Sequence, residues 1–149
     1  MAGTFTNLLY HIVFSTKDRR KLISPDLQPE LQAYVGGIIR GESGHALAIG
    51  GVSDHLHIVA KFAAEHAVSE MLQHIKGNSS RWVHEVKAVH ALSWQEGDAA
   101  FTVSESQLKS VIRYVEGQAE HHKKQSFQEE LLVLLAKNNI AFDERYIWK

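Results

Sequence analysis

The order of apolar patterns along the chain predicts an α+β fold. Four short stretches have the composition or the alternation of β-strands: residues 8–15, 46–49, 55–62 and 99–103. Longer stretches after the first and the third of these repeat apolar residues at helical spacing. The resulting order, β-α-β-β-α-β, predicts a ferredoxin-like, four-stranded antiparallel sheet with helices on one face, followed by additional C-terminal helices.

The first strand and the first helix have clear sequence signals. Alternation across residues 8–15 places His11 on the face opposite to that of Tyr10. Ser24 is suited to cap the helix that follows, and Pro25 to its first position, because no backbone N–H is needed there.

Glycine-rich segments mark the expected ends of the next elements. Gly41–Gly44 ends the first helix, and Gly50–Ser53 is expected to be the turn of a hairpin between the second and third strands. The second helix begins near Val68, is expected to break at Gly77–Ser80, and resumes at Trp82.

A third helix is expected from Glu105 to His122. Its buried stripe comprises Leu108, Val111, Ile112, Val115 and Ala119. A second, narrow stripe runs along one edge of the helix and contains Gln107, Tyr114, Gln118 and His121. Ser126 and Glu129 then form a capping box for a last helix. The aromatic residues of the tail suggest that it docks on this or a second subunit.

Length and composition limit the possible classes of protein. The 149 residues fit one domain, with the sheet core at about 5–104, the tyrosine helix at 105–122 and the last helix and tail at 126–149. There is no cysteine, which excludes thiolate metal sites. The net charge of -1 argues against broad, non-specific binding of nucleic acid. We expect no signal peptide and no membrane span, and therefore a cytoplasmic protein.

Two pairs of residues carry the chemistry that the sequence indicates. His55 and His57 are two apart on a strand, so their rings stand side by side on one face and can hold one metal ion. Tyr114 and Gln118 are four apart, so they share one face of a helix. A metal beside a tyrosine hydroxyl supplies the parts needed to cut a phosphodiester through a covalent tyrosine intermediate.

These residues belong to a larger set of short sequence segments, here called blocks, which follow one another along the chain. The blocks are Tyr10–Phe14, Lys17–Lys21, His55–His57, Ile75–Ser80, Tyr114–Gln118 and Asp143–Trp148. Together they resemble the single-tyrosine HUH transposases of the insertion sequence 200/605 family and their relatives associated with repetitive extragenic palindromes. The resemblance covers nearly the whole chain.

The resemblance implies a homodimer that acts on single-stranded DNA with imperfect hairpins near the element ends. It implies Tyr114 as the nucleophile that forms a 5′-phosphotyrosine, and His55, His57 and Gln118 as ligands of a divalent metal. That metal is expected to be Mg²⁺, with Mn²⁺ able to replace it. His121, one turn further along the same stripe, is an alternative third ligand. The family also implies that one subunit can complete the active site of the other.

Polar residues in two segments are candidates for contacts with DNA. The candidates are Lys17, Arg19, Arg20, Lys76, Asn78, Ser79 and Arg81. The alternative is that these residues are ordinary solvated surface. Asp98 departs from the family pattern, which has an aromatic residue there, and this affects local packing rather than chemistry.

Three other functions remain open at the level of the sequence. A non-cutting, domesticated DNA-binding protein would share the fold and the DNA partner. An RNA-binding module would need a glycine-aromatic pattern that the third strand lacks. A metal-dependent hydrolase that uses water would need a carboxylate near the histidines. Asp54 is the only adjacent candidate, and strand neighbours point to opposite faces.

Overall fold

The computed structural model describes residues 3–149, and Met1 and Ala2, the first two residues of the expected domain, lie outside the described part. The helices and strands, in chain order, are β1 (Leu8–Ser15), α1 (Leu27–Gly41), β2 (His45–Val52), β3 (His55–Phe62), α2 (Val68–Glu85), β4 (Ala99–Thr102), α3 (Leu108–Glu116), α4 (Gln118–His121) and α5 (Phe127–Lys137). Short 3₁₀ turns precede α1 at Lys17–Arg19 and α3 at Glu105–Gln107. This order confirms the predicted α+β fold.

The sheet has the strand order β2-β3-β1-β4, and every neighbouring pair is antiparallel. The register between β1 and β3 pairs Val13 with His57 and Ser15 with His55. Because directly opposed residues of an antiparallel pair share a face, this register fixes which side chains lie together. His11 is opposite Val59 of β3, which is two residues from His57, so His11 lies on the same face as His57.

Helices cover both faces of the sheet. The main core lies between α1, α2 and one sheet face, where Ile12, Phe14, Leu56 and Ile58 are fully buried. On the other face, α3 and α5 pack on two smaller apolar clusters. The additional C-terminal helices therefore shield the face that carries the histidines, and the site forms beneath them.

The second strand is longer than predicted, and the expected turn at Gly50–Ser53 is wrong. Strand β2 continues to Val52, which leaves only Ser53 and Asp54 for the turn. Gly50 is needed for helix packing rather than for turning. A Cβ at this position would lie within 3.0 Å of both the carbonyl oxygen and the carbonyl carbon of Val115 in α3.

The expected break in the second helix is also wrong, because α2 is continuous through Gly77–Ser80. Ser79 is buried within it, and its hydroxyl accepts a hydrogen bond from the Trp94 indole at 3.0 Å. Packing thus maintains the helix despite the unfavourable glycine. The third helix, by contrast, is divided at Gly117 into α3 and α4.

The helix ends and the tail follow the sequence signals closely. The Ser24 hydroxyl accepts a hydrogen bond from the Leu27 N–H at 3.1 Å in the turn before α1, but Asp26 occupies the N-cap position, so the helix begins two residues after the predicted Pro25. The capping box of α5 is present, as predicted. The tail docks on its own chain, where Arg19 donates to the Trp148 carbonyl at 2.9 Å. Among residues 3–149, no helix combines the length and apolarity that a membrane span requires.

Candidate active site

Strand β3 places His55 and His57 side by side, and both rings are completely buried. His55 Nδ1 lies 2.7 Å from the Asp54 carboxylate, and His57 Nδ1 lies 2.8 Å from His11 Nε2. The expectation that Asp54 points away from the histidines is wrong. Asp54 lies in the turn before β3, so strand alternation does not apply to it. These contacts orient the Nε2 atoms of both rings toward α4 and α5.

The helices after β4 bring Gln118 and Tyr114 to this pair. Gln118 is 1% exposed, and its Oε1 lies 3.1 Å from His55 Nε2. Its amide nitrogen donates to the Tyr114 carbonyl at 3.3 Å. The Tyr114 ring packs edge-on against the His57 ring, with 5.8 Å between ring centroids. The four residues selected from the sequence therefore meet within a single chain.

Glu130 of α5 lies at the centre of the cluster and was not anticipated from the sequence. It is 1% exposed. Its Oε1 is 2.8 Å from His57 Nε2, 3.0 Å from His122 Nε2 and 3.5 Å from His55 Nε2. Its Oε2 accepts a hydrogen bond from the Tyr114 hydroxyl. One carboxylate thus links the tyrosine to three imidazoles.

The missed residues had a weak signal in the sequence. Glu130 occupies the apolar stripe of α5, since it is three residues after Phe127 and next to Leu131, and both of these are buried. A glutamate in such a stripe indicates a paired or functional carboxylate. His122 directly follows the alternative ligand His121, and helical spacing favoured His121, which shares the stripe of Tyr114 and Gln118.

His121 and Gln118 have different positions relative to the histidine pair. His121 is half-buried, and its Nε2 lies 3.3 Å from both the Tyr114 hydroxyl and Glu130 Oε2. Only Gln118 reaches His55. The geometry therefore favours Gln118 over His121 as a neighbour of the histidine pair.

Burial and charge set the protonation states in the site. Burial, together with His57, lowers the pKa of His11 to about 3, and burial lowers the pKa of His57 to about 4 against the effect of Glu130. Burial would raise the pKa of Glu130, but hydrogen bonds from His122 and His57 hold it well below its usual range. For His122 burial lowers the pKa, but the hydrogen bond to Glu130, the charge of that carboxylate and smaller contributions from Gln125 and Asp54 together raise it. Burial and the same carboxylate raise the pKa of the Tyr114 hydroxyl.

The donor set is suited to a metal ion. His55, His57, His122 and Glu130 each offer one ligand atom, and these atoms all lie within 4.8 Å of one another. When His55 Nδ1 donates to Asp54, its Nε2 lone pair faces the oxygens of Gln118 and Glu130, and no hydrogen lies between. A cation would satisfy all three groups, which is the fit expected of a metal site.

The candidate DNA-binding residues lie in different parts of the molecule. Lys17 and Arg20 are exposed and Arg19 is half-buried, on the segment that follows β1. Arg19 lines a cleft beside Asp54 and His122, together with Lys21, Lys123 and Lys124. The remaining candidates, Lys76, Asn78, Ser79 and Arg81, are on α2, which covers the opposite face of the sheet.

Two candidates on α2 already have partners in the protein. Lys76 donates to the carbonyl oxygens of Glu96 and Gly97 and to the Asp98 carboxylate, at 3.0 to 3.3 Å. Asp98, the departure from the family pattern, thus pairs with Lys76. The Ser79 hydroxyl is inside the core, so its selection as a surface contact was wrong.

Comparison with known proteins defines the class of this fold and site. Residues 4–118 match the family model described as "Transposase IS200 like", and the chain belongs to that family. A search of curated proteins finds no match.

Two solved structures have the same fold. One is the crystal structure of a protein from Deinococcus radiodurans R1 described as a candidate transposase, with 20% identity and a TM-score of 0.63, over 79% of this chain and 95% of that chain. The other is a REP-associated tyrosine transposase bound to a REP hairpin, with 13% identity and a TM-score of 0.56, over 77% of this chain and 70% of that chain.

Proposed function

We propose that the protein cuts and rejoins single-stranded DNA at hairpin-marked ends through a covalent bond to Tyr114. The observation that supports this most directly is the buried cluster in which Tyr114 meets His55 and His57 through Glu130. It occurs in a chain of the IS200-like transposase family. The hairpin bound by the REP-associated neighbour supports hairpin DNA as the substrate class.

In the proposed reaction, the Tyr114 oxygen attacks the scissile phosphorus. The bond from phosphorus to the O3′ of the preceding nucleotide breaks as the new bond forms. The tyrosine loses its proton, and the departing O3′ gains one. The product is a 5′-phosphotyrosine, which retains the energy of the phosphodiester. A new 3′-hydroxyl can therefore reverse the step and rejoin the strand without ATP.

His55, His57 and Gln118 would hold a divalent metal, Mg²⁺ or Mn²⁺, as the family resemblance implies. When bound, the metal would neutralise charge on the phosphate oxygens. Asp54 and His11 have a supporting role, because each contacts the Nδ1 of one of these histidines and so fixes the orientation of its ring.

A cationic cleft beside the site would bind the DNA backbone. We define it by Arg19, Lys21, Lys123 and Lys124, which line the same depression as His122. The cleft can supply local phosphate contacts despite the net charge of -1. Lys17 and Arg20 extend the same basic segment, whereas Asn78 and Arg81 would contact DNA only if it also reaches the far face of the sheet.

The covalent step is tested by incubating the protein and Mn²⁺ with single-stranded DNA that contains the palindromes flanking its gene. A protein–DNA adduct should survive denaturing electrophoresis. Tyr114→Phe removes one oxygen and keeps the ring, so the adduct should vanish while DNA binding persists. Tyr146→Phe, at an exposed position in the tail, is the matched control and should retain the adduct. If Tyr114→Phe cleaves the DNA at the wild-type rate, the covalent mechanism is wrong and a metal-activated water is favoured as the nucleophile.

A non-cutting DNA-binding protein is the second candidate, and one observation favours it. The Tyr114 hydroxyl is held by Glu130, and its pKa is raised, which opposes formation of the nucleophile. In that case wild-type protein and Tyr114→Phe would bind hairpin DNA equally well, and neither would give an adduct.

We also propose a homodimer that acts in the cytoplasm. β4 is an edge strand of only four residues, and its outer side can pair with a second copy. Light scattering at micromolar concentration should give twice the mass of one chain, with and without DNA. The mass of a single chain in both conditions would exclude the dimer. The site residues already meet within one chain, so sharing between subunits would require an exchange of α3 and α4.

A further inference from the structure

Glu130 belongs to a part of the chain beyond the family match. The match ends at residue 118, whereas α5 spans Phe127–Lys137. Phe127, Leu131 and Leu135 pack α5 against the sheet face that carries the histidines. This packing inserts a carboxylate between β3 and α4. The site therefore contains an acidic group that the matched segment does not supply.

The surroundings of Glu130 are those of a ligand rather than of a simple ion pair. Its Oε1 faces three imidazole Nε2 atoms, from His55, His57 and His122, at 2.8 to 3.5 Å. An isolated ion pair needs one cationic partner, and three converging ring nitrogens exceed that need. In His55 and His57 the opposite ring nitrogen contacts a supporting side chain. Such support is typical of histidines that bind metal.

The chemistry of these donors also selects the metal. Magnesium prefers an all-oxygen environment and keeps several waters. Three imidazoles and one carboxylate suit the divalent transition metals, whose affinity for nitrogen ligands is higher. The carboxylate also cancels one positive charge of the metal ion, which neutral imidazoles cannot do.

We propose that Glu130 and His122 are metal ligands together with His55 and His57, so that the site takes a divalent transition metal in preference to Mg²⁺. This rests on the proposed function only in using the same two strand histidines. Because the ligands come from β3, the residue that follows α4, and α5, the metal fastens the C-terminal helices to the sheet. Glu130 Oε2 remains with the Tyr114 hydroxyl, which it holds beside the metal.

The chain offers matched variants for the test. Glu130→Gln removes the ligand charge with little change of shape, and Glu129→Gln is its control on the adjacent, exposed position. His122→Asn removes the third imidazole, and its control is His90→Asn, at an exposed position outside the ligand cluster. Circular dichroism establishes that each variant is folded.

Metal binding is measured directly on full-length protein stripped with a chelator, without DNA. Free Mn²⁺ is followed by electron paramagnetic resonance, and Mg²⁺ is added as a competitor. Glu130→Gln and His122→Asn should each weaken Mn²⁺ binding by about 10- to 100-fold or more, which is the loss seen even for residues that only support ligands. Both controls should bind as the wild type does. Mn²⁺ should also raise the melting temperature of wild type more than that of Glu130→Gln.

The outcomes separate this inference from the function proposed above. Unchanged Mn²⁺ affinity in both variants, with loss in His57→Asn, would overturn the inference and leave a site made by the strand histidines and Gln118. Equal affinity of wild type for Mg²⁺ and Mn²⁺ would also overturn it, and this needs no variant. If His57→Asn binds Mn²⁺ as wild type does, the metal site of the proposed function fails as well.

Discussion

Replacement of Gly50 by alanine should disturb the tyrosine helix through a direct steric conflict. Gly50 lies in β2 beneath α3, where the backbone of Val115 lies directly against it. An added Cβ would meet the carbonyl group of Val115, and neither atom of that group belongs to a flexible side chain. The strand and the helix must therefore separate by about 1 Å to reach the 3.0 Å that real Cβ contacts keep.

The size of the effect follows from this displacement. Overpacking of a well-packed core lowers the free energy of unfolding by about 1 to 3 kcal/mol. A conflict between a Cβ and backbone atoms, which cannot rotate away, belongs at the upper end of that range. For a chain of this length each kcal/mol lowers the melting temperature by roughly 2–4 °C. Val115 is adjacent to Tyr114, so α3 moves the hydroxyl with it. A misplacement of about 1 Å can cost on the order of 100-fold in rate.

Gly77→Ala is a matched control for this substitution. A Cβ at Gly77 would have no neighbour within 4 Å, and the residue lies inside α2. Alanine there should stabilise the helix by about 0.5–1 kcal/mol. Thermal denaturation and the yield of covalent adduct are measured for both variants and for wild type. If Gly50→Ala melts at the wild-type temperature and gives wild-type adduct, then α3 does not pack on β2 as described.

Three further predictions concern stability. Metal-free protein should become less stable as the pH falls from 6.5 toward 4. Burial lowers the pKa of His11 to about 3 and that of His57 to about 4. In this pH range the unfolded chain therefore binds protons that the folded chain does not. Urea midpoints near pH 7 and near pH 5 check this, and equal midpoints would contradict it. Ser126→Ala should cost about 1 kcal/mol in thermal denaturation, because it removes the cap of α5. Ser79→Ala leaves the Trp94 indole without its buried acceptor. The free energy of unfolding, measured by urea denaturation, should therefore fall by about 1–3 kcal/mol. A smaller fall would mean that water replaces the hydroxyl.

Local patterns were sufficient to predict most of the fold. Alternation gave the bounds of β1 and β3, and the capping signals gave the starts of α1 and α5 to within two residues. Glycine was the main source of error. Gly50 was interpreted as part of a hairpin turn and Gly77 as part of a helix break, yet Gly50 permits close approach of a helix and Gly77 lies inside an unbroken helix. Only tertiary contacts distinguish these roles, so the sequence alone could not.

The site was predictable where spacing within one element decides the geometry. His55 and His57 follow from strand alternation, and Tyr114 and Gln118 from one helical turn. Glu130 depends on the docking of α5 on the second sheet face, a contact between residues far apart in the chain. His11 was assigned to the correct face of β1, but its contact with His57 depends on the register between β1 and β3.

The position of α5 raises the question of how a DNA strand could reach a buried site. His55 and His57 are fully buried, with Gln118 of α4 and Glu130 of α5 against them, so a phosphate cannot approach the two rings from the side of these helices. A cavity of about 310 Å³ lies between α3, α5 and β4, however, and Tyr114 and Glu130 form part of its wall. Phe101, Val111 and Leu134 make other parts of that wall apolar, which suits a nucleobase more than a phosphate. The cationic cleft adjoins His122 on another side of the site. The tyrosine hydroxyl can therefore be approached while α5 stays docked, so the same helix can supply Glu130 and leave the nucleophile accessible.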